Sequence, residues 1–151
     1  MHASPNHPKS RGEITLNSSD PYDYPKILFN YLKEEEDLKQ TRECIHVARK
    51  ILAQPALAEH AGDEVGPGFD AQSDDELNEY IRSKADTAYH PCGTCKMGVD
   101  DMAVVDQDLK VNGIGNLRVI DASVIPEIPS ANLNAPTLMI AEKGSEAILN
   151  N

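Results

Sequence analysis

One histidine in the C-terminal half of the chain has the residue type and surroundings to act as a base. His90 lies in the run of residues 88–98 and is followed directly by Pro91. A proline restricts the residue before it to extended backbone, which predicts that the imidazole projects from a loop or a strand end. Because histidine side chains ordinarily titrate near pH 6.5, one in this position could take a proton from an alcohol at neutral pH.

Two cysteines follow this histidine with C-x-x-C spacing. A thioredoxin-like role requires Cys92 and Cys95 to lie at a helix start after a strand, and a structural zinc ion requires a second pair of ligands. The only other cysteine is Cys44, and the histidine precedes the pair rather than following it as in haem attachment. We therefore interpret the pair as small packing residues and predict no metal site. A small independent redox or zinc protein is the alternative.

Polar residues in the last third of the chain allow both a structural and a chemical interpretation. Asn132 and Asn134 flank a leucine directly before Pro136. Asparagine caps helices well, yet its side chain can also bond a substrate oxygen. A helix start offers backbone N–H groups and about half a unit of positive charge to a bound group. Asp121 could bind a hydroxyl or cap the following turn.

Local patterns predict an α+β fold that positions these residues. An apolar stripe with acidic residues at its start and basic residues near its end predicts a helix over 34–53. Ser73 and Glu76 form a capping-box pattern that opens a second helix, to about residue 85. A third helix is predicted over 136–149, with Pro136 in its first turn. Strands are predicted over 13–16 and 117–121, whereas residues 25–32 could be strand or irregular.

Composition narrows the classes of function. The chain has 151 residues and a net charge of −11, which argues against binding nucleic acid. No stretch approaches the roughly 20 apolar residues of a membrane span, and the N-terminus has no signal-peptide core. An odd number of cysteines, three, fits a reducing compartment. We expect a cytoplasmic location, or association with the cytoplasmic side of a membrane.

Several long sequence segments together resemble those of the glucose–methanol–choline (GMC) oxidoreductases, a family of FAD-dependent enzymes. The resemblance spans about residues 7–147 and is most specific in residues 88–98, 103–106, 117–123 and 130–143. It implies the C-terminal part of that fold, with helices beside a substrate-domain sheet, followed by the last strand and helix of the FAD domain. The implied division is a tail or linker at 1–12, a substrate-binding portion at 13–116 and a returning portion at 117–151.

The resemblance assigns roles residue by residue. His90 matches the active-site base, which would accept the alcohol proton while hydride passes to flavin N5. Asn132 matches the position beside the substrate oxygen. Asn134 matches a residue whose backbone meets the pyrimidine edge of the flavin, and Asp121 a residue near the ribityl and phosphate portion. The complete set of implied cofactor contacts is Asp121, Ala122, Asn134, Ala135, Pro136 and Thr137.

The sequences of these segments most resemble those of the choline-oxidising members of the family. That implies oxidation of choline to betaine aldehyde, towards glycine betaine, with electrons passed to the respiratory chain and peripheral membrane association of the intact enzyme. This chain holds no G-x-G-x-x-G loop, so we expect it to be inactive without an N-terminal FAD domain, which could be supplied in trans. The alternatives are another GMC alcohol dehydrogenase, and a remnant or interaction domain that binds no flavin.

Overall fold

The computed structural model describes residues 3–150, which divide after Asp86 into two compact units. The three-part division implied by the family concerns the domains of a larger enzyme and stays a prediction. The combination of helices with a small sheet confirms the α+β class.

Two helices form the core of the first unit. Helix α1 is Glu35–Leu52 and helix α2 is Asp74–Lys84, each within one residue of the predicted bounds. Both carry acidic residues in the first turn and basic residues in the last, which complements the helix dipole. Ser73 and Glu76 form the predicted capping box. The two helices pack together, and the buried apolar side chains of this unit are Leu38, Leu77 and Ile81.

Arginines on α1 fix the elements that pack beside it. Arg42 contacts Asp74 at 3.1 Å and donates to Asn78 Oδ1 at 2.6 Å, which ties α1 to both the start and the body of α2. Arg49 pairs with Glu64 at 3.0 Å. Its other nitrogen donates to two carbonyls of the loop that precedes α2. The loop is thus held by a half-buried guanidinium rather than by an apolar core.

A short hairpin completes the first unit. Strands β1, Glu13–Thr15, and β2, Lys26–Leu28, pair antiparallel with Ile14 opposite Ile27. The predicted strand over 13–16 is confirmed except for its last residue, and only three residues of 25–32 form a strand. The backbone turns to positive φ at Asn30, which ends the pairing. A single 3₁₀ turn, Pro55–Leu57, follows α1.

Asp37 joins the N-terminal segment to α1. Its carboxylate is 2% exposed and accepts backbone N–H bonds from Lys9 at 2.6 Å and Ser10 at 2.7 Å. Burial alone would raise the pKa of Asp37. The hydrogen bonds from Ser10 and Lys9, together with the charge of Arg11, outweigh burial and hold the pKa below its ordinary value.

The second unit is built on one helix and a set of turns. Helix α3 is Asn134–Leu149, so it begins two residues before the predicted start and places Pro136 in its first turn as predicted. A 3₁₀ turn, Ala122–Val124, packs against α3. Isolated bridges, rather than a sheet, connect residues 97–118. The buried cluster comprises Val105, Leu109, Val124, Ile125, Leu133 and Ile140.

The segment predicted as a strand over 117–121 makes only one bridge in the described part of the chain. The backbones of Arg118 and Lys110 form an isolated antiparallel bridge. Backbone hydrogen bonds also join Leu117 to Val111 and Val119 to Leu109. A strand needs a continuous ladder with a neighbour. The neighbour here, residues 109–111, is a short stretch between two turns, which leaves room for a bridge and not for a ladder.

Helix α3 packs closely on this segment because of a glycine. Gly144 is buried, and a methyl group added at its Cα would overlap the side chain of Ile120. The absence of a side chain at 144 therefore lets the helix approach residues 117–121.

None of the helices in the described residues could cross a membrane. Helix α1 has 18 residues but carries charged side chains on every turn, and α3 has 16.

Replacement of Asp37 by alanine should lower the free energy of unfolding by about 1–3 kcal/mol, because two partly buried N–H groups lose their acceptor. The folded pKa is depressed, so the wild-type advantage is present at pH values above the unfolded pKa near 4 and is lost as the pH falls through the folded value. Urea unfolding of wild type and Asp37→Ala between pH 3 and pH 7 measures it. The matched control is Glu35→Ala, an exposed carboxylate on the same turn. An unchanged stability difference across this range would contradict the assignment.

Gly144→Ala should destabilise the chain by about 1–3 kcal/mol through overpacking, despite the roughly 1 kcal/mol by which alanine favours a helix. The penalty should vanish in an Ile120→Ala background, where the space is open. Ser145→Ala, at the exposed neighbouring position, is the control. Thermal unfolding of the four variants tests this, and an equal Gly144→Ala penalty in both backgrounds would show that Ile120 is not the obstacle.

Candidate active site

His90 and Asn132 meet in the second unit although 42 residues separate them. The Nε2 atom of His90 lies 3.1 Å from the Oδ1 atom of Asn132. The histidine is half-buried and the asparagine is exposed. An amide oxygen only accepts, so this arrangement pairs with a protonated Nε2, and a half-turn of the amide would offer N–H to an unprotonated one. Asn132 can therefore bond the imidazole before and after it takes up a proton.

Backbone bonds hold the histidine loop against the 3₁₀ turn. The N–H groups of Cys95 and Met97 donate to the carbonyls of Ser123, at 3.0 Å, and Val124, at 2.8 Å. The loop reverses at Gly93, whose φ of 88° is a conformation that favours glycine. These contacts fix the loop that carries His90 to the buried cluster, because Val124 is fully buried there.

A buried leucine positions Asn132. Leu133 is 5% exposed and occupies the N-cap position of α3. Its carbonyl accepts both the N–H of Thr137, at 2.9 Å, and the hydroxyl of Thr137, at 2.7 Å. The chain cannot move here without exposing this side chain, so the flanking Asn132 and Asn134 are held at the surface. The positioning role of Leu133 was not predicted, although an apolar residue between two polar ones is the sequence pattern that indicates it.

The capping interpretation of the two asparagines is wrong. Asn134 is the first residue of α3, and no side chain of the described residues caps this end of the helix. Asn134 and Ala135 are exposed, while Pro136 has no N–H to offer. The helix start therefore presents N–H groups and its positive end to the surface, where a carbonyl or an anionic group could bind.

The capping interpretation of Asp121 is confirmed. Its Oδ1 accepts from the N–H of Ser123 at 2.8 Å and so begins the turn Ala122–Val124. Asp121 is exposed and Ala122 is half-buried. The turn is the element that bonds the histidine loop, so the carboxylate also supports His90. Whether Asp121 and Ala122 contact a cofactor stays a prediction.

The packing interpretation of the C-x-x-C pair is confirmed for Cys92. All three cysteines lie in the described residues and form no disulfide there, and Cys92 packs against the buried cluster. Cys44 belongs to the first unit, where burial and the neighbouring Glu43 raise the pKa of its thiol. Residues 3–150 contain no group of three or more metal-ligating side chains.

The family model for GMC oxidoreductases matches residues 8–141, and the chain belongs to that family.

Individual relatives bear the names of enzymes. The chain is 50% identical to an oxygen-dependent choline dehydrogenase of Photobacterium profundum over 100% of its own length and 27% of that protein. It is 52% identical to the protein of the same name from Klebsiella pneumoniae, over 92% of this chain and 25% of that one. The chain thus spans about a quarter of the length of these relatives.

A solved structure shares the fold. Pyridoxine 4-oxidase from "Mesorbium loti" superposes with a TM-score of 0.90 at 33% identity, over 97% of this chain and 28% of that one. The similarity covers both compact units and supports the same fold for each of them.

Asp121→Ala should cost about 1 kcal/mol, the usual loss for a capping residue, and lower the midpoint of thermal unfolding by a few degrees. Asp121→Ser should retain most of the stability, because a serine hydroxyl can accept the same N–H bond. Glu127→Ala, an exposed carboxylate after the same turn, is the control. Equal midpoints for Asp121→Ala and wild type would show that the carboxylate does not stabilise the turn.

Proposed function

We propose that this chain supplies the proton-accepting part of the active site of an FAD-dependent alcohol dehydrogenase. The observation that carries the proposal is the contact between His90 Nε2 and Asn132 Oδ1. It brings together two groups that the family resemblance assigned to the substrate oxygen from distant parts of the sequence.

The proton chemistry follows from the two side chains. His90, the general base, accepts the hydroxyl proton of the alcohol on Nε2. Loss of this proton raises the electron density on the substrate oxygen and so favours departure of hydride from the alcohol carbon. Asn132 lies against the same nitrogen, so when the alcohol binds, its N–H₂ group must turn to the substrate oxygen, which leaves the one lone pair of Nε2 for the hydroxyl proton. Its amide oxygen then stabilises the protonated imidazole. Bound FAD supplies the acceptor for the hydride that leaves the alcohol carbon.

The start of α3 fits a flavin. An exposed helix N-terminus without a side-chain cap suits the N1–C2=O edge of the isoalloxazine ring, where negative charge accumulates on reduction. We propose that the backbone of Asn134 and Ala135 faces this edge, with Pro136 and Thr137 completing the contact. Asp121 and Ala122 are proposed to lie near the ribityl and phosphate portion, where the 3₁₀ turn presents them at the surface.

Choline is the proposed substrate because relatives with 50% and 52% identity are named oxygen-dependent choline dehydrogenases. The product is betaine aldehyde, an intermediate towards glycine betaine. A related alcohol is the second candidate, since similar solved structures include oxidases named for pyridoxine and for aryl alcohols. Recognition of the trimethylammonium group distinguishes choline from the other candidate substrates. The neutral choline analogue 3,3-dimethylbutanol, which lacks the positive charge, tests whether this group is recognised.

The remaining proposals concern the larger enzyme. We propose that this chain belongs to a protein with a flavin-binding N-terminal part. Residues 1–12 are the tail or linker, residues 13–116 contribute to the substrate-binding domain, and residues 117–151 complete the FAD domain. The N-terminal part could be joined in the same chain or supplied in trans. Transfer of electrons to the respiratory chain at the cytoplasmic side of a membrane is proposed from the resemblance alone.

His90→Ala should lower kcat by about 10²–10⁴-fold, the usual contribution of general base catalysis, with flavin content unchanged. Asn132→Ala should lower it less, by roughly tenfold. The assay is choline-dependent dye reduction by a chimera in which this chain replaces the matching quarter of a choline dehydrogenase relative. His46→Ala is the control, because this exposed histidine lies on α1, in the first unit.

The outcome of this assay decides the proposal. Wild-type turnover by the His90→Ala chimera would refute the base role. A flavin-free, inactive but folded chimera with the unaltered chain would favour the alternative of a non-catalytic remnant. Activity with 3,3-dimethylbutanol equal to that with choline would favour another alcohol as substrate.

A further inference from the structure

The residue directly before His90 has a disfavoured backbone. Tyr89 has a φ of 59°, in the left-handed region that bulky side chains rarely adopt. Tyr89 is 78% exposed, so packing of its ring contributes little to holding that conformation. Pro91, on the other side of His90, further restricts the backbone. The direction of the imidazole therefore depends on whatever fixes Tyr89.

A threonine hydroxyl supplies that restraint. The Oγ1 atom of Thr87 accepts the backbone N–H of Tyr89 at 3.0 Å. A hydroxyl that bonds the N–H two residues later forms a small local turn, and here it fixes the orientation of the peptide that joins Ala88 to Tyr89, from which the φ of Tyr89 is set. The same side chain thus selects the peptide orientation from which His90 departs.

The backbone conformation of Tyr89 determines where the imidazole of His90 lies. A change of Tyr89 to negative φ would rotate the following peptide and carry Nε2 of His90 away from Oδ1 of Asn132. Their separation of 3.1 Å already lies in the outer part of the usual range for a hydrogen bond. Small displacements of this kind are costly for proton transfer, whereas binding of the substrate elsewhere is little affected.

We propose that Thr87 is a positioning residue for His90, acting through the left-handed backbone of Tyr89. This deepens the proposed function and rests on it. Thr87 touches neither of the reacting groups in this role, and its hydroxyl is the feature that matters.

The test compares Thr87→Val, which keeps the shape and removes the acceptor, with Thr87→Ser, which keeps the acceptor. In the flavin-loaded chimera, Thr87→Val should lower kcat about tenfold with KM changed less than about twofold. Thr87→Ser should retain at least about half of the wild-type kcat. Thr94→Val, at an exposed threonine of the same loop, is the control and should be unaffected.

A second background isolates the mechanism. Asparagine tolerates the left-handed region, so in a Tyr89→Asn chain the hydroxyl is no longer needed to hold the backbone. Thr87→Val should then lower kcat less than about threefold relative to Tyr89→Asn alone. Should Thr87→Val misfold, Thr87→Ala serves in both backgrounds.

Three results would overturn the proposal: wild-type kcat for Thr87→Val, equal losses for the serine and valine variants, or an undiminished loss in the Tyr89→Asn background. His90→Ala keeps this test distinct from the test of the function itself. If His90→Ala is inactive while Thr87→Val is unaffected, the positioning role alone fails. If His90→Ala is fully active, the proposed function fails and the positioning role with it.

Discussion

The burial of one leucine side chain determines the geometry of the candidate site. Leu133 lies in the apolar cluster of the second unit while the asparagines on either side of it are exposed. Its burial fixes where α3 begins, which side of the chain faces the surface, and where Asn132 can reach. Burial of a leucine is worth about 1.5–3 kcal/mol, more than any single polar contact at this surface.

The same cluster controls the other half of the site. Val124 is fully buried in it, and the backbone of the turn Ala122–Val124 bonds the loop that carries His90. Cys92, two residues after the histidine, also packs against the cluster. Base and amide are therefore placed by one apolar core rather than by a polar network of their own. Their own contact is a single hydrogen bond at the surface, which leaves both groups available to a substrate.

The sequence predicted the features that depend on local patterns. Helices α1 and α2 were placed to within one residue, because the apolar stripe, the capping box of Ser73 and the charges at the helix ends are all local. The start of α3 was misplaced by two residues since it depends on burial of Leu133, a tertiary effect. Residues 117–121 read as a strand from their apolar composition, yet a ladder requires a neighbour of matching length.

The contact between His90 and Asn132 could not have been predicted from spacing. The two residues are 42 positions apart, and only the family resemblance related them. The left-handed backbone of Tyr89 had no sequence signal either, because tyrosine is among the residues that rarely adopt it. The residue type and the following proline predicted that His90 could act as a base, whereas the fold determined that Asn132 lies beside it.

The rate at which choline reduces the bound flavin in a single anaerobic turnover tests most directly whether His90 is the base. It isolates the chemical step from reoxidation and product release. The chimera with the unaltered chain should bleach rapidly, and the chimera with His90→Ala at least about 100-fold more slowly at the same saturating choline concentration. Equal rates of bleaching in the two proteins would show that His90 accepts no proton in the reaction and is not the base.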